Sequence, residues 1–140
     1  ILILNNWGKP YRRMIMDKFP NIDEMHEILD KIAEEIPAEL FEKLNQGIIL
    51  LPEYKTHPES RDTDKLYIMG EYVRSMAGRH IVIYYGSFGK VYSGYSIETI
   101  EEKLKETLYH EFIHHLESLA GERDLEIEDA RDLARYRKRI

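Results

Sequence analysis

From Asn21 onward the apolar positions repeat at helical spacing. Ile22, Met25, Leu29, Ile32 and Ile36 fall on one face, with Asp23 in the first turn, and predict an amphipathic helix. Pro37 stops that run and suits the first turn of a short second helix over AELFEKLNQ, which Gly47 closes. Ile48–Leu51, a compact apolar block ended by Pro52, reads as a strand. Residues 52–64 are polar and read as a loop. Leu66–Val73 and His80–Tyr85, rich in Ile, Val and Tyr, read as two further strands, with Met76–Arg79 as the turn between them. Residues 86–95 hold three glycines and three aromatics and read as a loop, with at most a short strand at 90–92. Ser96 is a good N-cap, Glu98 sits in the first turn, and a long helix runs to about Ala120, where Gly121 can end it. A last helix spans Ile127 to Arg137. Residues 14–140 make one domain. Residues 1–13 match nothing that follows and are set apart as an extension or cloning remnant of uncertain order.

Composition narrows the chemistry. The 140 residues include no cysteine and six histidines, and 20 Lys plus Arg against 26 Asp plus Glu leave a net charge of −6. Without cysteine there is no disulfide framework, no thiol nucleophile, no iron–sulfur cluster and no Cys-ligated zinc. Any metal must be held by histidine and carboxylate. The acidic balance argues against a nucleic-acid partner. No apolar run approaches the roughly 18 residues of a membrane span, and the opening Ile-Leu-Ile-Leu is too short for a signal-peptide core. The expected compartment is the cytoplasm, with no membrane partner.

Three histidines fall within six residues, and His110-Glu111-Phe112-Ile113-His114 is an H-E-x-x-H motif inside the long helix. Residues four apart on a helix point the same way, so two imidazoles can hold one zinc ion. The Glu after the first His is rotated about a third of a turn, close enough to act as a base on water activated by the metal. Ile97, Ile100, Leu104, Leu108, Phe112, Leu116 and Leu119 form one apolar stripe, and His110 and His114 project about 150° from its centre. A core role for these two is therefore disfavoured, and the competing reading is a solvated polar face. His115 falls on the apolar side and is expected to pack or to support the ligands.

A catalytic zinc needs a third protein ligand and an open position. The downstream acids Glu117, Asp124, Glu128, Asp129 and Asp132 are the candidates. Glu117 shares the helix face but lies two turns from His110. Asp124, Glu128 and Asp129 follow Gly121, where the chain can fold back; Glu128 and Asp129 equally suit the N-terminus of the last helix. Tyr84, Tyr85, Tyr92 and Tyr95 cluster before the motif helix. One could serve as an oxyanion donor, although tyrosines at strand ends more often simply pack. The basic tail Arg135, Arg137, Lys138 and Arg139 suits a helix C-terminus.

The segments IPAELFEKLNQGIILLPE, HIVIYYGSF and above all ETLYHEFIHHLESLAGERDLEIEDARDL resemble the small bacterial zincin-like metallopeptidases, sometimes called minimal metalloproteases, over about Asp17 to Tyr136. The resemblance implies an α+β zincin-like fold, a small mixed sheet packed against a long HExxH helix with flanking helices. It implies Zn2+ bound by His110, His114 and a downstream Asp, with Glu111 as the catalytic base and acid. The compact form of that family continues H-x-x-G-x-x-D, whereas Glu117 and Ala120 stand at the Gly and Asp places here. Aligning the last helix instead puts Asp129 on the ligand position; Glu128 is the alternative, and Gly121-x-x-Asp124 is a copy of the short motif shifted by four. The expected activity is hydrolysis of a peptide or protein substrate held along the strand before the motif helix by backbone pairing. A non-catalytic zinc-binding or protein-interaction module on the same fold is the alternative.

Overall fold

Asn21 opens the first helix with a capping box. Its Oδ1 accepts from the Glu24 amide at 2.8 Å, and the Glu24 carboxylate accepts from the Asn21 amide at 3.2 Å. Two otherwise orphaned amides are thereby satisfied, and α1 runs Ile22–Glu34. Met25, Leu29, Ile32 and Ile36 are buried, the face that the spacing predicts. The computed structural model describes residues 2–5 and 18–138, leaving out the side chains of 4, 5, 124–130, 133, 134 and 136–138. Most of the expected 1–13 extension therefore lies outside the described residues.

The second helix shrinks to a 3-10 turn, Ala38–Phe41. Glu42 is already extended and Lys43 takes φ +64, a left-handed conformation that stops helical propagation.

Five strands form one mixed sheet: β1 (Leu2–Asn5), β2 (Ile48–Leu51), β3 (Lys55–Thr56), β4 (Leu66–Ser75) and β5 (Gly78–Tyr84). The order is β1-β4-β5-β2, with β3 also beside β4; only the β2–β5 pair is parallel. Tyr67, Met69, Ile81 and Ile83 face the helices, while Ile68, Val82 and Tyr84 form a smaller cluster on the other face. That is the period-two alternation of a strand. It changes phase once. Register along β1 passes from Ile3 opposite Ile68 to Leu2 opposite Gly70, skipping Met69. This bulge lets Met69 and Gly70 both face the helix layer, so Tyr72 and Arg74, rather than Glu71 and Val73, point at it beyond.

Two expectations are corrected. Residues 86–92 are not a loop but most of a helix, α2 (Tyr85–Tyr92), with Ser87, Phe88, Val91 and Tyr92 buried. Its glycine serves close packing: a Cβ on Gly86 would stand 2.4 Å from the Tyr54 amide nitrogen. Nor does Gly121 end the motif helix. The two helices expected on either side of it are one, α3, Ile97–Lys138. Tertiary packing overrides a glycine that costs only about 1 kcal/mol inside a helix. Ser96 caps α3, its Oγ accepting from the Thr99 amide at 3.3 Å. Among the described residues the architecture is α+β, with three helices, one of them long, against a mixed sheet. No helix among the described residues is long and apolar enough to cross a membrane.

The two glycines should respond oppositely to alanine. Gly86→Ala meets backbone and should lose about 1–3 kcal/mol in urea unfolding. Gly121→Ala has nothing within 4 Å of its new Cβ and should gain about 0.5–1 kcal/mol.

Candidate functional site

The motif helix is laid along β4. A Cβ at Gly70 would stand 3.0 Å from Thr107 Cγ2, so strand and helix meet closely there. Farther along, Tyr72 reaches His115, Arg74 donates to Ser118 Oγ at 3.0 Å, and Arg79 of β5 donates to Glu122. Partners advance together along both elements, so α3 and β4 run in the same direction. Thr107, Glu111 and His115 are consequently buried.

His115 is the fastening. Its Nε2 lies 2.8 Å from the Glu42 carbonyl oxygen, which can only accept, so Nε2 carries the proton. Nδ1, on the other side of the ring, is hydrogen-bonded to the Tyr72 hydroxyl at 2.9 Å. The imidazole thus joins α3 to β4 and to the segment after the 3-10 turn. This is the packing alternative expected for His115; Tyr72 carries no sequence signal, because the bulge decides which face it takes.

His110 and His114 stand half-buried on the helix flank. Their Nε2 atoms are 3.3 Å apart, with the rings edge to face at 81°. Two nitrogens bound at 2.0–2.1 Å to one tetrahedral zinc are, by geometry alone, about 3.3–3.4 Å apart. The pair therefore already has the spacing of two corners of a zinc tetrahedron. A hydrogen bond between the rings has the same spacing, and a metal would take the place of its proton. Glu117 Oε2 lies 3.7 Å from His114 Nδ1, the other ring nitrogen. The carboxylate thus lies on the side of the ring away from the Nε2 pair. Glu111, between the two histidines in sequence, is fully buried.

The downstream acids fare differently. With α3 unbroken, Asp124 lies ten residues beyond His114 and Asp129 fifteen, about 15 and 22 Å of helical rise. The side chains of Asp124, Glu128 and Asp129 lie outside the described residues. Among the described residues no three His, Asp or Glu side chains gather into a metal cluster.

All four tyrosines show packing roles. Tyr84 belongs to the cluster on the far face of the sheet. The Tyr85 hydroxyl donates to the Pro20 carbonyl at 2.6 Å. Tyr92 is buried, which pushes its hydroxyl up to about 12, helped by the Glu106 carboxylate. Tyr95 stacks edge-on against Tyr92 at 5.5 Å.

Two surfaces flank the histidines. Ile36, Pro37, Leu40, Tyr109, Phe112 and Ile113 line an apolar groove of about 320 Å³. Across the helix is the outer edge of β4, which β1 covers over Leu66–Gly70. Among the described residues no strand pairs with that edge over 71–75.

Tyr72→Phe removes the hydroxyl that partners Nδ1 of a buried imidazole and leaves that nitrogen unsatisfied. Urea unfolding should show a loss of about 1–3 kcal/mol.

No protein-family model matches the chain, and no curated protein does. Among solved structures it is similar to a conserved hypothetical protein, TTHA0227, from Thermo thermophilus. Identity is 34%, the TM-score is 0.62, and the match covers 73% of this chain and 99% of that one. At that identity over nearly the whole of the other protein, the chain belongs to the same family as TTHA0227.

Proposed function

We propose that the chain is a zinc-dependent metallopeptidase with a zincin-like fold, its metal held by His110 and His114. The observation that carries this reading is the 3.3 Å Nε2–Nε2 separation on consecutive turns of a rigidly packed helix. The donor set fits zinc: two imidazoles, with no sulfur ligand from cysteine anywhere in the chain. Zinc, when bound, supplies a Lewis acid that acidifies water and polarises a carbonyl. Glu111 removes the proton from the attacking water and delivers it to the leaving amine, the general base and acid role its place in the motif suits. Glu117 holds the His114 ring from its far nitrogen. The apolar groove receives an apolar side chain of the substrate, and the open edge of β4 over 71–75 pairs with its extended backbone.

Metal analysis of protein purified without chelator should find one zinc per chain, lost in His110→Ala and His114→Ala. Glu111→Gln should keep the zinc and lower hydrolysis of a peptide library by about 10²-fold or more. Protein that takes up no zinc would overturn the reading.

A third protein ligand from beyond Gly121 requires α3 to open there. Asp129→Ala should then weaken zinc binding about tenfold, and zinc should lower the helical circular dichroism of the parent chain. Unchanged affinity in both Asp129→Ala and Glu128→Ala removes the downstream acids from the site.

A further inference from the structure

At the far end of the β4–β5 hairpin, two turns beyond His114 along α3, lies a depression of about 590 Å³ lined by Lys43, Asn45, Arg74, Arg79 and Glu122 among others. Its walls are built rather than incidental. Asn45 Oδ1 accepts from the Arg79 amide at 2.9 Å, and the Asn45 side chain fills the space a Cβ on Gly78 would need, 2.3 Å away. Gly78 has φ +141, so that turn tolerates little else. The hairpin tip and the 43–45 segment are thereby locked together around the depression.

The charges do not balance. Arg79 is 6% exposed and donates through Nη2 to Glu122, yet its Nη1 is buried with no hydrogen-bond partner. Arg74 donates to Ser118 and keeps Glu122 at 3.9 Å. Lys43 also lines the depression, so three cations face one carboxylate, in a chain whose total charge is −6. A buried guanidinium nitrogen without an acceptor is costly, and Glu122 satisfies only one side of the fork.

We propose that this depression is an anion site for a phosphoryl group, as free phosphate or as a phosphate monoester. The local surplus of two positive charges matches a dianion, and phosphate offers three acceptor oxygens where the Glu122 carboxylate offers two. Arg79 and Arg74 supply planar donor forks and Lys43 a mobile point charge. Glu122, 38% exposed at its side chain, is the internal competitor that swings aside as the anion engages both nitrogens of Arg79. The volume exceeds what phosphate alone fills, leaving room for the group that carries it. This site does not depend on the metal proposed at His110 and His114.

The test is calorimetric titration of the full chain, freed of divalent metal by chelator, with inorganic phosphate, O-phosphoserine and acetate at equal ionic strength. Phosphate should bind saturably and acetate should not. Lys43→Asn, which keeps a residue tolerant of the left-handed backbone, and Arg74→Gln should each weaken phosphate about tenfold. Glu122→Gln should tighten it several-fold, an effect that mere loss of structure cannot produce. Tighter binding of phosphoserine than of phosphate assigns the site to monoesters, and the reverse assigns it to the free ion. No saturable phosphate binding, or equal binding of acetate, overturns the proposal.

Discussion

The imidazole of His115 has no solvent contact, so every polar demand it makes must be met inside the protein. One nitrogen is met by the Glu42 carbonyl and the other by the Tyr72 hydroxyl. Removing either partner would leave a buried polar atom with nothing to replace it, a penalty comparable to a sizeable part of a small domain's net stability. This constraint fixes the rotation of α3 about its own axis. With His115 turned inward, the neighbouring His114 and the preceding His110 must stand on the flank. The position of the candidate ligands follows from the hydrogen bonding of a histidine that is not one of them.

The same rotation divides the helix into three working strips. Ile100, Leu104, Leu108 and Phe112 join the main core with Met25, Leu29 and Ile32 of α1. Thr107, Glu111 and His115 are buried, with Gly70 and Tyr72 of the sheet against the first and last of them. His110 and His114 remain beside both an apolar groove and a sheet edge. A peptide crossing that flank would meet backbone partners on one side and an apolar recess on the other, which is the arrangement an extended substrate requires.

Much of this was legible beforehand. The spacing of Ile22, Met25, Leu29 and Ile32 located α1 and its buried face, the Ile48–Leu51 block is β2 to the residue, and the divergence of His110 and His114 from the apolar stripe follows from helical angles alone. What escaped has identifiable causes. Glycines at 86 and 89 point to a loop, whereas the value of Gly86 lies in its close approach to the Tyr54 backbone, which local pattern does not contain. Gly121 pointed to a helix end, yet propensity at one exposed position is too weak to stop a helix already nucleated and packed over many turns. The bulge at Met69 and Gly70 has no local signature, and a strand read with uninterrupted alternation would turn Glu71 and Val73, not Tyr72 and Arg74, towards the helix. A ligand role for Asp129 needs the chain to fold back after Gly121, and no local pattern reveals that α3 runs on through that glycine.

The 3.3 Å approach of His110 and His114 has a thermodynamic consequence of its own. In small zinc-dependent domains the ion is the organiser, and the chain without it is unfolded. Here the core, the helix capping and the His115 bridge are made without His110 or His114, whose rings stand at ligand spacing on the flank. Little rotamer entropy remains to be lost on binding, so the binding energy of a metal is left for affinity and chemistry instead of folding. Were a metal bound there and then lost, the contacts that hold the fold would remain.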